Sequence, residues 1–266
     1  MKRRDFLKSL SGAGLCAGSV LTGGCHYFYM AKAELEQTNE MFIQPFRRKT
    51  FLTWNINAGL GLDGKRDLAR IAAVIKEADV GVTAIQKIDR KTARVGGVDQ
   101  FEQLADLTGR QGIWCRLAER SEGEVGMAFY VKDEPAKQAT VELAGDGRML
   151  VIEYPAFMAG LVSFPSEEKD WEAAVAKIVG MIDANRPFFL LGDWGDEPQS
   201  PLVLRVRRAF AGLTGFEKTY PADDPQTCRD YIALSVRHRL RFDHVSHEVL
   251  AESVASDHRP VKVSVW

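Results

Sequence analysis

Residues 50–90, "TFLTWNINAGLGLDGKRDLARIAAVIKEADVGVTAIQKIDR", decide how the rest of the chain is to be read. "TFLTWNI" alternates and is rich in β-formers, so it predicts a strand. "RDLARIAAVIKEA" sets Leu68, Ile71, Ala72 and Ile75 on one helical stripe, and "VGVTAIQ" predicts a second strand. Strand, helix and strand within about forty residues make an α/β unit. Two polar side chains stand at the carboxyl ends of its strands, Asn55 and Lys87. In open α/β sheets that is where ligands bind.

Downstream, "VDQFEQLADLTG" predicts a helix closed by Gly109. "GIWCRLA", "VGMAFYV", "ATVELA", "RMLVIEY" and "FMAGLVSF" predict a meander of strands. A long helix is expected from about Glu167 to Ala184, then the strand "PFFLLGDW", a helix near "PLVLRVRRAFAGL", and terminal strands ending at "VKVSVW". With 266 residues, 45% of them hydrophobic, and no internal repeat or low-complexity tract, one α/β domain with a two-sheet core is the expectation.

The first 33 residues read as a targeting segment. "KRRDFLK" precedes the glycine-rich, weakly apolar "SLSGAGLCAGSVLTGG", in the manner of a twin-arginine export signal. Two processing sites compete, cleavage after Ala33 in "AKA" and a lipobox-like "LTGGC" before Cys25. Export to the periplasm or to a membrane-anchored place in the cell envelope is expected, with residues 34–47 as linker and 48–266 as the domain. Any membrane attachment would be through a lipid on Cys25. Beyond this segment Cys115 and Cys228 remain, with no metal-site spacing; whether they pair stays open.

Charge bears on partners. The whole chain carries −1, but residues 1–33 hold five basic side chains against the single Asp5, so the remainder is near −5. A duplex-DNA binder normally shows a basic footprint, because phosphate neutralisation drives its binding. Duplex DNA is therefore not the expected partner.

Four strand ends carry polar residues: Asn55, Lys87, Asp193 in "FFLLGDW", and Asp257 with His258 in "ASDHRP". Together with "AIQKIDR", "LLGDWGDEPQSP", "CRDYIALS" and "VASDHRPV", this pattern resembles the endonuclease/exonuclease/phosphatase family, metal-dependent phosphoesterases that share the DNase I fold. The resemblance implies a DNase I-like four-layer α/β sandwich, two central, mostly antiparallel or mixed sheets flanked by helices. It also implies Mg²⁺ as cofactor and hydrolysis of phosphoric esters.

Carried over by position, the resemblance makes Asn55 and Asp257 metal-binding residues and Asp193 the residue that aligns water. Asp230 orients His258, which meets the phosphate; Asp243 in "RFDHV" is the alternative for Asp230. Asn55, Lys87 and His258 would face the phosphate. Three positions depart from the family pattern. Lys87 stands at the chief metal ligand, normally Glu; Leu161 falls where a His is usual; Gly195 replaces an Asn. Protonated lysine has no lone pair to give a hard cation, so it cannot replace Glu as a ligand. Its ammonium is instead expected to compensate the charges of Asp193 and Asp257.

The expectation is a family member with lost or reduced catalysis. The alternatives are an active metal-dependent phosphoesterase on a small phosphorylated substrate and a non-catalytic surface-binding or structural protein. A small phosphorylated molecule or a lipid headgroup is the expected partner, and the expected state is a monomer. The glycine-rich "NAGLGLDGK" after Asn55 is either a simple turn or a backbone contact to phosphate.

Overall fold

The computed structural model describes residues 48–266; the expected export signal, Cys25 and the linker lie outside the described residues. In chain order the elements begin with β1 (Lys49–Asn55), α1 (Leu68–Ala78), β2 (Val82–Arg90), α2 (Gln100–Thr108), β3 (Gln111–Arg120), β4 (Gly123–Val131), β5 (Lys137–Glu142) and β6 (Arg148–Glu153). They continue with β7 (Met158–Ser163), α3 (Glu168–Val179), β8 (Phe188–Asp193), α4 (Pro201–Arg207), β9 (Phe210–Gly212), β10 (Asp230–Ser235), β11 (Val245–Val249) and β12 (Val261–Val265).

The strands form two six-stranded mixed sheets, ordered β11-β12-β1-β2-β4-β3 and β5-β6-β7-β8-β10-β9. Each has one parallel pair at its centre, β1 with β2 and β7 with β8. Their facing sides bury Phe51, Ala84, Met127 and Phe129 against Leu150, Leu161, Phe189, Leu191 and Ile232. The outer faces pack on helices: Leu52, Trp54 and Ile85 against α1 and α2, and Met158, Phe188 and Leu190 against α3 and α4. This is the four-layer α/β sandwich of the DNase I type.

Local chemistry places these elements. Asp67 and Asp99 cap α1 and α2 by accepting from Arg70 N and Glu102 N, satisfying donors that a first turn leaves open. Gly109 closes α2 in the left-handed region that glycine enters at no steric cost. Central strands such as β1 alternate yet are apolar on both faces, because both faces are covered.

The long helix is shorter than expected, ending at Val179 rather than near Ala184, with Gly180 at its end. The segment expected as one helix near 201–213 divides into α4 and the short strand β9, since Phe210 is drawn into the α3/α4 core. Cys115 lies between the sheets and Cys228 lies under α3 and α4. Buried in different cores, both are free thiols.

Candidate functional site

The site lies at one end of the sandwich, where β1 and β8 finish and β10 begins. Parallel pairing sets Asn55 level with Gln86, and antiparallel pairing sets Asp193 opposite Asp230, so three distant segments deliver polar ends to one place. The loop before β12 closes the group. Trp54 Nε1 donates to the His258 carbonyl at 2.8 Å, and Ser256 Oγ donates to the Asn55 carbonyl at 2.7 Å.

A hydrogen-bonded chain runs through the buried side chains. Asn55 Nδ2 donates to Asp193 Oδ2 at 2.8 Å and lies 3.3 Å from His258 Nε2. His258 Nδ1 is 2.8 Å from Asp230 Oδ2, which also accepts from Thr219 Oγ1 at 2.6 Å. Asn55 itself is oriented by Asn57 N–H, which donates to its Oδ1 at 3.0 Å. An imidazole that donates from Nδ1 to Asp230 and accepts at Nε2 from the second hydrogen of the Asn55 amide satisfies every one of these contacts.

Burial disfavours charge on His258, but the Asp230 carboxylate, with smaller contributions from Asp193 and Asp257, outweighs it and moves the imidazole above its ordinary value. Complete burial raises the Asp230 carboxyl in turn, against the pull of His258 and Thr219. Both directions mean that the pair holds its proton more tightly than either group would alone. Asp243, by contrast, is exposed ahead of β11 and takes no part. The carboxylate against His258 is that of Asp230.

Lys87 does not do what its position implied. β2 bulges between Ile85 and Ile88, two residues standing opposite the single Met127, and Lys87 takes the left-handed conformation (φ 55°) there. Its side chain is exposed and makes no hydrogen bond or ion pair among the described residues, to Asp193 and Asp257 included. The bulge turns it toward solvent, whereas Gln86 beside it is buried and donates to Thr53 Oγ1 at 2.9 Å.

The cation near Asp193 is Arg229. Its Nε lies 3.8 Å from Asp193 Oδ1, and its guanidinium sits 5.0 Å from the centre of the Tyr220 ring, which in turn packs on His258 at 4.8 Å. Sequence reasoning passed over Arg229, Tyr220 and Thr219. The signal for Arg229 was adjacency to Asp230 in "CRDYI"; that for Thr219 and Tyr220 was the stretch "TYPADDP", which resembles the family pattern but was given no role.

Leu161 also requires correction. It is fully buried between the sheets, paired with Leu150 and Leu191, because strand alternation sends Ala159 and Leu161 to the inter-sheet core. Continuing the register by two residues brings Ser163, not Leu161, level with Asp193. A histidine at 161 would sit in the core, so Leu161 removes nothing from the cleft. Gly195 does lie at the site: its N–H donates to Asp193 Oδ1 at 2.9 Å, at φ 76°. Asp257 is half-buried, with Oδ1 3.2 Å from Ser256 Oγ, whose proton goes to the Asn55 carbonyl. The "NAGLGLDGK" loop is a turn whose amides are largely used internally, Gly59 N to Ile56 O, Leu60 N to Asn57 O and Gly61 N to Lys65 O.

Asp193, Asp230 and His258 bring donor atoms within 4.8 Å of one another, an acidic and histidine cluster of the type that holds a divalent ion; Asp257 is outside it. The donor set nonetheless does not fit Mg²⁺. A hard cation needs several free oxygens, but Asp193 already takes an amide N–H on each oxygen with a guanidinium nearby. Asp230 Oδ2 is spent on His258 and Thr219, and Asn55 turns its oxygen to the backbone; of this set Asp230 Oδ1 is buried without a partner, one free oxygen where a hard cation needs several. What the arrangement offers instead is a polarised imidazole and the half-exposed Arg229 guanidinium near Asp193, groups that suit an anion.

The family model described as Endonuclease/Exonuclease/phosphatase family matches residues 52–258, which span every site residue above. The chain belongs to the endonuclease/exonuclease/phosphatase family. Solved structures agree on the fold. A member of this family from Beutenbergia cavernae DSM 12333 aligns at TM-score 0.63 with 20% identity, covering 82% of this chain and 71% of that one. The mannosyl-6-phosphatase of Bacteroides thetaiotaomicron VPI-5482 aligns at 0.62 with 15% identity, covering 82% and 99%. A humanized D. rerio TDP2 carrying 14 mutations aligns at 0.59 with 11% identity, again over 82% and 99%. No curated protein matches the sequence. Family members are in general dependent on divalent metal, which makes the crowded donor set around Asp193 the point on which this chain's chemistry turns.

Proposed function

We propose that this family member binds a small phosphorylated molecule in the cleft and hydrolyses it slowly or not at all, having kept the phosphate-facing side of the site and lost the metal-holding side. The observation that carries this reading is the continuous, largely buried network from Asn55 through Asp193 and His258 to Asp230, beside a ligand position filled by Lys87. Removing one contact that forms only in the transition state costs about 10² to 10³ in rate. Losing the metal's charge removes more than one such contact. Gly195 adds a smaller loss, since no side-chain amide stands there.

The His258–Asp230 pair and Arg229 supply what phosphate binding needs, a hydrogen-bond donor with positive charge close by. A structural neighbour described as a mannosyl-6-phosphatase supports a small phosphorylated molecule as the ligand class. We further infer export through the twin-arginine-like leader, with Cys25 lipidation and cleavage after Ala33 as the two routes to a mature chain.

Calorimetric titration with Mg²⁺ and Mn²⁺, and separately with inorganic phosphate and sugar phosphates, tests the reading. Phosphate binding without metal binding is the expected result. Tight Mg²⁺ binding accompanied by hydrolysis of bis-p-nitrophenyl phosphate would sink it and favour the active phosphoesterase.

A further inference from the structure

The end of the sandwich opposite the cleft carries a feature that the site does not use. β1 starts at Lys49 and reaches the site at Asn55, while β10 leaves the site at Asp230 and ends at Ser235. Lys49, Ser235 and the last residues of β12 therefore share the far end. There the 3-10 turn Val236–Arg241 holds Leu240 at 94% exposure and Val236 at 49%, and Trp266, 38% exposed, stands at the same end of the sandwich. An isolated exposed leucine is ordinary. This one stands between Arg239 and Arg241, three residues from Arg237, in a domain whose overall charge is negative.

Trp266 has its own basic and aromatic surroundings at this end. Arg48 lies 5.4 Å from the centre of the Trp266 ring, which stacks on His244 at 5.5 Å. Asp243 is an exposed acidic side chain in the same run, and the neighbouring Glu153 and Asp183 are both paired with Arg186. The turn is held firmly. His238 is buried against Ser235 Oγ and the Ala184 carbonyl, Arg241 donates to the carbonyls of Ala184 and Asn185, and Phe242 packs on Phe189. A fixed turn thus keeps Leu240 in water, with Arg237 and Arg239 beside it and without ion pairs among the described residues.

We propose that this end docks on an anionic lipid bilayer, with Leu240 inserted at the acyl boundary and Arg48, Arg237 and Arg239 against headgroup phosphates. An apolar tip ringed by arginines and flanked by a tryptophan is complementary to that surface in both charge and polarity. The route of the chain agrees: residues 1–47 join the domain at Arg48, at this same end, so a tether would bring this face to the membrane. The seven residues of β1 span roughly 20 Å at the usual rise per residue. The cleft then faces the aqueous side, away from the lipid.

The test compares full-length variants, all carrying the same leader, for binding to phosphatidylcholine vesicles with and without phosphatidylglycerol. Arg237→Gln with Arg239→Gln is expected to weaken binding to the anionic vesicles by about thirtyfold, at about fivefold for each arginine. Leu240→Ser should weaken it by about tenfold. Arg116→Gln with Arg120→Gln, on the strand β3 that runs toward the cleft end, should leave it unchanged, and thermal unfolding of each variant should match the parent. Binding that is undiminished in the turn variants overturns the proposal, as does an equal loss in the Arg116/Arg120 pair. It also fails if the turn arginines prove to bind single-stranded nucleic acid and not vesicles.

Discussion

His258 Nδ1 lies 2.8 Å from Asp230 Oδ2, a buried contact between residues 28 apart in the chain that fixes the imidazole of the site. Both groups are displaced upward, Asp230 by burial and His258 by the Asp230 charge overcoming burial. The folded pair therefore binds more protons than the unfolded one, and stability falls as pH rises. For His258 the contribution is fully present below the unfolded value of about 6.5 and is lost as pH climbs through the higher folded value. Thermal unfolding followed across that range should show the decline, and His258→Gln should flatten it. An unchanged slope in the variant would assign the effect elsewhere.

Asn55 serves three partners with one amide: Asp193, His258 and the Asn57 N–H. Asn55→Ala leaves the carboxylate and the backbone donor unsatisfied, which should cost about 1–3 kcal/mol of stability. Inorganic phosphate binding should also be lost, because Asp193 is then less well compensated. Chemical denaturation and phosphate titration of the same variant read the two effects separately.

Lys87 and Gly195 can be replaced without disturbing packing. Lys87 is exposed, and a side chain at 195 would meet only the tip of Arg229 at 3.7 Å, in a left-handed conformation that asparagine tolerates. Lys87→Glu with Gly195→Asn should therefore keep the parent's thermal unfolding temperature, as a melting curve would show. Leu161→His should behave differently, unfolding at lower temperature by placing an imidazole between the sheets, at a cost of at least about 3 kcal/mol.

Arg229 stands between Tyr220 and Asp193. Arg229→Ala should weaken phosphate binding about tenfold, as loss of a charge-assisted contact implies. Arg229→Lys should restore little of it, since an ammonium neither stacks on the ring nor spans the same distance. Equal affinity in all three proteins would show that Arg229 lies outside the binding surface.

The parts of the site that lie at strand ends were legible early, for a simple reason. Alternation and β-propensity fix where a strand stops, and a polar residue at the stop must face the end of the sheet. Asn55 and Asp193 were found this way; Asp230, which opens β10, came from the family pattern, and His258, read as a strand end, lies in the loop before β12. Arg229 and Tyr220 were not, because their importance is a contact across loops and not a spacing. Lys87 and Leu161 were misplaced for opposite reasons: a bulge after Ile85 breaks the period that would have pointed Lys87 inward, and an unbroken period in β7 carries Leu161 into the core.

By itself, then, the sequence determined the order of strands and helices, the membership of the family and the identity of the hydrogen-bonding residues, because each depends on local pattern or on motif. The tertiary structure alone decided which of two aspartates meets His258, which cation stands by Asp193, that Cys115 and Cys228 lie apart, and that the exposed turn at Leu240 faces away from the cleft. Those outcomes depend on register between strands far apart in the chain. A one-residue bulge or a shift of pairing changes them without altering any local preference.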